Sequence, residues 1–397
     1  MKIITSEKKP IKSWCNYPES GALEQAKDLA NLPFLFKHVA LMPDTHQGYG
    51  MPIGGVIACK DVIIPNAVGV DIGCGMAAVK TSLTDIPTEG INKIMSLIRQ
   101  AVPVGFKHHA GEQDARLMPR ERYDGFNGGF VFCEYPIIYE EYRSALKQLG
   151  TLGGGNHFIE IQKGSDGYIW FMVHSGSRNL GYKVAKHYNE EAQMLCAKWH
   201  SNIPKPKGAD GLAFLPLDTA EGRLYRRSME YCLQFAKANR DLMIQRIKES
   251  FCSVLEVEFT EYINIHHNYA TMENHYGANV MVHRKGATSA KKGELGIIPG
   301  SQGTSSYIVR GKGNLESFMS CSHGAGRQMS RKAARTGLDL DAEIALLDGK
   351  GVIHSIRNEK DLEEAPTAYK DIDIVMEEQQ DLVDIVVKLE PLAVIKG

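Results

Sequence analysis

An aspartate and a cysteine lie three residues apart in the glycine-rich stretch VGVDIGCGMA, residues 68–77. The glycines around Asp71 and Cys74 allow a tight turn on which a carboxylate and a thiol can converge on one point. Side chains of these two types that share one point typically bind a metal ion. The apolar residues before Asp71 predict that the turn follows a buried strand.

Four of the fourteen histidines lie in polar or glycine-rich stretches beside predicted strand ends. They are His157 in GGGNHFIE, His174 in VHSGSR, His267 in HHNYA and His323 in SHGAGR. With Asp71 and Cys74, the first three supply enough ligands for two metal ions if the thiolate bridges them. Such a mixed set suits Mn, Zn or Fe better than Mg. A single histidine of this kind is more often a hydrogen-bonded loop residue, so the prediction depends on the whole set.

Three segments have the composition of phosphate-binding loops, namely PGSQGTSSY, HGAGR and HSGSR. Their glycines let main-chain N–H groups approach an anion, and hydroxyls and arginines add further donors. Tight turns between short strands explain any one of these segments equally well. Asp44 and His46 in LMPDTHQGYG mark another polar strand end, for which a turn aspartate and a surface histidine are the plain alternative.

Two clusters of basic residues could follow a polynucleotide backbone, although charge runs are usually solvated faces. The clusters are Arg284, Lys285, Lys291 and Lys292, and Arg327, Arg331, Lys332 and Arg335. The whole chain has 46 Lys plus Arg against 47 Asp plus Glu. A nucleic-acid partner must therefore be bound by a local patch and not by a globally basic surface.

The composition of the 397-residue chain, 43% of it hydrophobic, is typical of a soluble globular protein. The chain shows no apolar leader and no run of eighteen apolar residues, so we expect no membrane span and a cytoplasmic location. No Pro/Ser-rich linker divides it, and we predict a single domain over residues 1–397. The eight cysteines form no CxxC pair, so most should be buried apolar residues, with Cys74 the exception.

The apolar patterning predicts irregularly mixed helices and strands. Helices are expected after Ser20 (GALEQAKDLANL), from Asn179 to about His200, from Asp218 to about Ser250 and over Arg327–Thr336; strands are expected at FKHVALMP, VIACKDVIIP, AVGVDIG and the terminal DLVDIVVKLEPLAVIKG. The absence of regular alternation argues against a doubly wound or barrel fold. We predict a complex α+β fold in which mixed β-sheets, glycine-rich loops and flanking helices surround a central metal site.

These residues alone predict a dinuclear metalloenzyme that acts on phosphates, and they do not choose between hydrolysis and group transfer. A metal-dependent phosphodiesterase or phosphatase acting on RNA termini would use the same ligands. A non-catalytic RNA-binding protein is a weaker alternative, because it would not need Asp71 and Cys74 on one turn.

The ordered motifs of the chain resemble those of the RtcB family of GTP-dependent RNA ligases. The motifs are MPDTHQG, VDIGCGM, GGGNHFIE, HSGSR, HHNYA, RKGA, IPGS, SHGAGRxMSR and VIKG, from about residue 35 to the last residue. The resemblance implies joining of RNA 3′-phosphate or 2′,3′-cyclic phosphate ends to 5′-hydroxyl ends, with GTP as energy source and two Mn²⁺ ions. The implied route passes through a histidine–GMP intermediate and a guanylate-activated RNA 3′ end.

The resemblance also implies a role for individual residues. His323 would be the nucleophile, and the metal ligands would be Asp71, Cys74, His157, His174 and His267, with Cys74 bridging both ions. The residues around the guanylate would be Asn156, Glu160, Ser301, Ala325, Gly326 and Lys396, while Asp44, Arg178 and Arg327 would be phosphate or RNA contacts. A hydrolase needs neither a guanylate-binding lysine nor a nucleophilic histidine outside the metal set, so Lys396 and His323 favour the ligase.

At two positions the chain differs from the residue that is most common in the family. Gln302 stands where methionine is frequent, and His283 stands where threonine is common. These departures bear on the shape of the nucleotide pocket and the choice of RNA. The implied partners are RNAs with broken ends, either tRNA halves or nuclease-cleaved RNA, and the resemblance allows an archease-type activator.

Overall fold

The structure is a computed structural model that describes residues 1–119, 135–205, 207–208 and 211–397. Its strands are β1 Lys2–Ile4, β2 Ile11–Ser13, β3 Leu35–His46, β4 Ile53–Cys59, β5 Val62–Ile63, β6 Gly75–Thr81, β7 Phe158–Gly164, β8 Ile169–Ser175, β9 Leu215–Pro216, β10 Phe259–His266, β11 Asn268–His275, β12 Ala278–Lys285, β13 Ala287–Ser289, β14 Leu295–Ile298, β15 Ser306–Gly311, β16 Ser320–Ser322 and β17 Val383–Lys396. Its α-helices are α1 Ser20–Ala30, α2 Pro65–Val68, α3 Thr88–Ala101, α4 Pro136–Gln148, α5 Arg178–Lys198, α6 Ala220–Cys252, α7 Arg331–Gly337, α8 Leu340–Gly349 and α9 Ile372–Glu377. Short 3₁₀ turns cover Ala115–Leu117, Leu315–Ser317, Glu359–Glu364 and Pro366–Ala368.

Two larger sheets organise these elements. A six-stranded sheet has the order β1-β2-β3-β4-β12-β11, and a seven-stranded sheet has the order β10-β6-β8-β7-β17-β15-β14. The parallel pair β2/β3 lies in the first sheet, and the other neighbours in both sheets are antiparallel. The predicted α+β fold with mixed sheets is therefore confirmed.

Helices α3 and α6 cover one face of the seven-stranded sheet. Their apolar residues recur at helical spacing and join side chains of β8 in one buried cluster. The rings of Phe171 on β8 and Phe251 on α6 are stacked, with centroids 5.2 Å apart. Removing such a ring from water contributes roughly 1.5–3 kcal/mol to stability, so this contact fixes α6 firmly on the sheet. None of the described helices is long and apolar enough to cross a membrane.

The structure corrects two predicted elements. AVGVDIG is not a strand: Pro65–Val68 form the short helix α2, because a proline at the first helical position has no N–H to leave unpaired. The helix predicted over Arg327–Thr336 begins at Arg331, where the Ser330 side chain accepts the N–H of Ala333. A serine at the N-cap is a strong start signal, because its side chain pairs a backbone N–H of the first turn.

The two sheets meet at one residue. Strand β10 belongs to the seven-stranded sheet and β11 to the six-stranded sheet, and His267 is the single residue between them. In the antiparallel registers, Gly75 lies opposite both His266 and Ser175, and Phe158 lies opposite His174. The beginnings of β6 and β7 and the ends of β8 and β10 therefore share one edge, beside the junction of the sheets.

Candidate functional site

The five predicted metal ligands come together at this edge. Cys74 Sγ lies 3.4 Å from His157 Nε2 and 3.2 Å from His174 Nε2. The ligand atoms of these three residues all lie within 4.8 Å of one another, a grouping that could hold a metal ion. Asp71 Oδ2 is 3.2 Å from His157 Nε2, and His267 Nε2 is 3.3 Å from His174 Nε2. The Cys74 thiol thus lies between two pairs of side chains, Asp71 with His157 and His174 with His267.

The hydrogen bond behind His174 fixes which of its nitrogens faces the cluster. A carbonyl oxygen can only accept, so His174 Nδ1 donates to Asn156 O at 3.1 Å, and its Nε2 presents a lone pair toward Cys74. His157 Nδ1 lies 3.1 Å from Leu152 O, and its Nε2 lies 3.2 Å from the Asp71 carboxylate, so either of its nitrogens can carry the proton before a metal binds. The ring of His174 has the arrangement that metal-binding histidines need, with the second nitrogen held by a backbone partner.

The charge state of the cluster also favours a cation. Burial raises the pKa of the Cys74 thiol well above its ordinary value, and the nearby Asp71 carboxylate raises it further. Burial lowers the pKa of both His174 and His267 well below the ordinary histidine value, so these rings are neutral. A bound cation would stabilise the thiolate and use the neutral nitrogens, so the residues present fit a metal ion.

The turn that carries Asp71 and Cys74 is held by backbone contacts. Gly73 has a φ of 75°, which glycine adopts without strain, and its N–H donates to Asn268 O at 2.9 Å. The Cys74 N–H donates to Asp71 O at 3.1 Å, and the Asn268 side chain donates to the same oxygen at 3.1 Å. The residue after His267 therefore positions the turn that supplies the thiol and the carboxylate.

Helix α6 contributes a buried arginine to this edge. Arg240 donates from Nη1 to Gly73 O at 3.0 Å and to Ser175 O at 2.8 Å. Its Nη2 lies 3.1 Å from His266 Nδ1, and its Nε donates to Asn264 Oδ1 at 2.8 Å. One side chain thus joins the turn before Cys74, the end of β8 and the end of β10. Arg240 is one of several arginines in this amphipathic helix, and nothing in the local sequence distinguishes it from the others.

His323 stands next to the cluster and is held by Asp44. His323 Nδ1 donates to Asp44 Oδ2 at 2.6 Å, and the backbone N–H groups of His323 and Gly324 donate to the same oxygen at 3.1 and 3.3 Å. The rings of His323 and His267 have centroids 4.8 Å apart. With Nδ1 engaged by the carboxylate, Nε2 of His323 carries the free lone pair.

Asp44 is fully buried, and its second oxygen has no hydrogen-bond partner among the described residues. Burial alone would raise the pKa of Asp44, but the interaction with His323 outweighs burial and lowers the pKa of the carboxyl. The sequence singled out both Asp44 and His323. It gave no sign that two residues 279 positions apart form a pair.

A cavity of about 670 Å³ opens in front of the cluster and His323. Its size lies within the range of small-molecule sites. The residues predicted to surround a guanylate, Asn156, Glu160, Ser301, Ala325, Gly326 and Lys396, all line it, as do Asp71, Cys74, His174, His267, His323 and Arg327. The structure thus brings the predicted metal and nucleotide residues to one cavity.

One wall of the cavity is a buried polar network around Glu364. Lys396 Nζ lies 3.5 Å from Glu364 Oε2, Arg327 Nη1 lies 3.3 Å from Glu364 Oε1, and the Tyr369 hydroxyl donates to the same carboxylate. Burial lowers the pKa of Lys396, and it raises the pKa of Glu160 well above its ordinary value. Glu364 and Tyr369 could not be predicted from the sequence, because they lie outside the recognised motifs.

Several singled-out residues lie elsewhere. Arg178 does not line the cavity: its Nη1 lies 3.2 Å from His157 Nδ1, behind the cluster, and its Nε has no partner among the described residues. Gln302 lines the cavity and donates to Glu364 O at 2.8 Å. His283 is buried within β12, where its Nε2 accepts the N–H of Ile64 at 3.0 Å, so it is a structural residue.

Arg284 and Lys285 of the first basic cluster are buried. Arg284 donates to Glu273 at 2.8 and 3.1 Å, so it is not a surface contact for a polynucleotide, because the neighbouring strand supplies a carboxylate. Lys285 donates to the backbone oxygen of Asn66 at 3.0 Å and lines the cavity. Lys291 and Lys292 are exposed, and a phosphate contact stays a prediction for these two lysines.

The fold and site define a two-sheet α+β protein in which a sulfur–nitrogen–oxygen metal cluster and an aspartate–histidine pair face one cavity. A family model described as tRNA-splicing ligase RtcB matches residues 25–397. The chain therefore belongs to the RtcB family.

Relatives resemble the chain over nearly its whole length. RNA-splicing ligase RtcB1 of Escherichia coli strain ATCC 25922 is 39% identical, with 100% of this chain and 99% of the relative covered. RNA-splicing ligase RtcB of Escherichia coli K12 is 38% identical over the same shares. tRNA-splicing ligase RtcB of Thermococcus kodakarensis is 32% identical, with 96% of this chain and 92% of the relative covered.

Proposed function

We propose that this protein is a GTP-dependent RNA ligase that joins RNA 3′-phosphate or 2′,3′-cyclic phosphate ends to 5′-hydroxyl ends. Family membership supports ligation of RNA. The single observation that carries the chemistry is the Asp44–His323 pair, which leaves Nε2 of a histidine free beside a metal-ligand cluster in one cavity. A hydrolase built on the same cluster would have no need for this second histidine.

We infer that Asp71, Cys74, His157, His174 and His267 hold two Mn²⁺ ions, with Cys74 bridging them. The support is the central position of the thiol between the two pairs of ligand atoms. Metal ions bound there would neutralise phosphate charge and help to align an in-line displacement. Mn²⁺ accepts this mixed donor set, which Mg²⁺ binds poorly.

The first chemical step belongs to His323. Nε2 of the neutral ring attacks the α-phosphorus of GTP, the bond to the bridging oxygen of the β-phosphate breaks, and pyrophosphate leaves. Asp44 holds the proton on Nδ1 and stabilises the positive charge that the ring acquires. The product is a guanylate attached to His323.

The two later steps return the enzyme to its starting state. An oxygen of the RNA 3′-phosphate attacks the guanylate phosphorus, the phosphorus–nitrogen bond breaks, and His323 is released. The 5′-hydroxyl oxygen of the second RNA then attacks the activated 3′-phosphorus, loses its proton and expels GMP. A cyclic phosphate is first opened by water to a 3′-phosphate.

We assign the guanine base to the wall of the cavity that contains Glu160, Ser301 and Lys396. The ring nitrogen and exocyclic amine of guanine are donors, so the Glu160 carboxyl is a suitable acceptor inside an apolar pocket. Binding of such donors would oppose the effect of burial and favour the ionised form of Glu160. The Lys396 ammonium can stay charged there because Glu364 lies 3.5 Å away.

The test is incubation with α-labelled GTP and Mn²⁺, followed by mapping of the labelled residue. We expect acid-labile label on His323 and on no other residue, and joining of a 3′-phosphate RNA to a 5′-hydroxyl RNA. Cleavage of RNA termini without any protein-bound guanylate would instead assign a phosphodiesterase. Comparable joining in Mn²⁺-free Mg²⁺ buffer would contradict the assignment of the metal.

The expected substrates are tRNA halves or nuclease-cleaved RNA, and we keep a cytoplasmic location as a prediction. An archease-type activator is a candidate partner. A stimulation of multiple-turnover joining when such a protein is added, with a single round of guanylate transfer unchanged, would support that partner.

A further inference from the structure

Phe106 is a fully exposed phenylalanine on a turn that is hydrogen-bonded to the loop preceding Asn156, a residue that lines the cavity. The Gly105 N–H donates to Gly153 O at 2.9 Å, and the Leu152 N–H donates to Pro103 O at 2.9 Å. Val104 also pairs with Gly153 in a parallel bridge. These bonds fix the turn, so the ring is presented to solvent by a held backbone. No other ring of the described residues stacks on it.

A short path of contacts connects this turn to the cavity rim. The backbone at Gly154 approaches Gly105 so closely that a Cβ at 154 would lie 3.6 Å from the Gly105 Cα. On the other side, a Cβ at Gly155 would lie 3.0 Å from Arg331 Nη2. Arg331 lines the cavity, and half of its side chain is exposed. A strand that leaves the cavity past Arg331 therefore reaches Phe106 after crossing two glycines.

The residues around Phe106 carry the charge that a nucleic acid attracts. Lys107 and His108 are both exposed, and no carboxylate occurs from residue 103 to residue 111. Scattered apolar residues on a surface are ordinary. An exposed aromatic ring flanked by cationic groups is instead the arrangement that binds unpaired bases, since every base offers a face for stacking and every linkage a phosphate.

We propose that Phe106 stacks on an unpaired base of the RNA strand that enters the cavity, with Arg331 and Lys107 on the phosphates at either side. The proposal rests on the proposed function, because it names the part of the protein that holds the RNA during joining. In this proposal the Gly153–Gly155 loop contacts the RNA strand, in addition to positioning Asn156 and His157.

The first experiment measures RNA affinity and joining kinetics with Phe106→Ala. We expect the KM for single-stranded RNA ends to rise about ten-fold, in line with the loss of one base–aromatic stack. Phe106→Trp should restore the wild-type KM, and Phe106→Leu should not. Tyr139→Ala is the matched control, because Tyr139 is an exposed aromatic on α4 that does not line the cavity, and its KM should equal that of the wild type.

The second experiment replaces single nucleotides near each RNA end with an abasic residue. Wild-type protein should lose about ten-fold in affinity at one position, and Phe106→Ala should show no further loss at that position. Equal abasic losses in both proteins, or an unchanged KM for Phe106→Ala while the wild type joins RNA, would overturn this proposal alone. A wild type that neither takes up guanylate nor joins RNA would overturn the proposed function with it.

Discussion

Two buried charged clusters, one around Arg284 and one around Asp44, differ in how completely their charges are paired. In the first, Arg284 donates from all five N–H groups: to Ser320 Oγ, the Tyr269 hydroxyl, both oxygens of Glu273 and Phe318 O, at 2.8–3.3 Å. In the second, Asp44 uses one oxygen for three donors and leaves the other without a partner among the described residues.

The difference separates a structural cluster from a chemical one. A buried polar group that is fully paired stabilises one conformation, whereas an unpaired buried group costs free energy unless a ligand satisfies it. At Glu273 both carboxylate oxygens are paired, since His275 adds a further bond at 2.8 Å, although His275 Nδ1 has no partner among the described residues. At His323 the free Nε2 faces the cavity. We infer that the first cluster acts on stability and the second on reactivity.

The largest expected effect is that of His323→Ala, which should abolish guanylate transfer to the protein and joining of 3′-phosphate RNA. The alanine removes no proposed metal ligand, so metal content and melting temperature should stay unchanged. An RNA that already carries the 3′ guanylate should still be sealed to a 5′-hydroxyl end with Mn²⁺. Retained joining of uncapped RNA would refute the nucleophile assignment.

His283→Ala is the matched control for that variant. His283 is equally buried but bonds only to backbone groups of β12 and Ile64. We expect it to lower the unfolding free energy by about 1–3 kcal/mol through an unmade buried hydrogen bond, with activity per folded molecule retained.

Cys74→Ser should remove bound metal at both positions together, because one thiolate is proposed to serve both ions and a serine hydroxyl stays protonated near neutral pH. Asp71→Asn should reduce the metal content less. Metal analysis of the purified protein measures this directly. Cys59→Ser makes the same atomic change in a buried strand away from the cluster and should keep the wild-type metal content. Two ions per chain in Cys74→Ser at full occupancy would disprove the bridge.

Asp44→Asn tests whether the partly paired cluster acts through the tautomer of His323. An amide at position 44 can donate to Nδ1, which would shift the ring proton to Nε2 and remove the attacking lone pair. We expect guanylate transfer to slow by about 10²–10⁴-fold, with metal content unchanged. Rapid-quench measurement of a single round of transfer checks this, and a wild-type rate would mean that Asp44 only supports the fold.

Local sequence patterns predicted the residues of the site far better than they predicted the elements that position those residues. The turn around Asp71 and Cys74 was predictable because glycine and the two ligand types occur within one short stretch. The strand predicted before it was wrong, because Pro65 starts a helix there. A short apolar run cannot be assigned to strand or helix from periodicity alone.

Long-range pairing explains the other misses. Arg284 was predicted to be a surface cation because its partner, Glu273, is contributed by the neighbouring strand through an antiparallel register that local patterning does not specify. The role of Arg240 could not be predicted for the same reason, since its carbonyl partners, Gly73 O and Ser175 O, belong to two distant segments. Residues within motifs could be predicted from the sequence. The residues that position the motifs could not, because their partners are distant in the sequence and meet them only in the folded protein.

Glu273→Gln should have the smallest effect on guanylate transfer, and it tests the comparison between the Arg284 and Asp44 clusters most directly. This change leaves Arg284 buried without its counter-charge, which should lower the unfolding free energy by about 3–5 kcal/mol. Guanylate transfer per folded molecule should stay at the wild-type level. If Glu273→Gln kept the wild-type unfolding free energy but lost guanylate transfer, the Arg284 cluster would act on reactivity and the proposed division between the two clusters would be wrong.

The pH dependence of this stability difference gives an independent check. Burial would raise the pKa of Glu273, but the hydrogen bond from His275 and the charge of Arg284 outweigh it, so that the folded-state pKa is lowered. A carboxyl with a lowered folded-state pKa contributes its full stability above its unfolded pKa, about 4.3, and loses that contribution as the pH falls toward the folded value. The stability gap between wild type and Glu273→Gln should therefore be constant from about pH 8 to 6 and shrink below about pH 4.5. Denaturant titrations at a series of pH values measure the gap, and a gap that stayed constant into acid would mean that folding does not lower the pKa of Glu273.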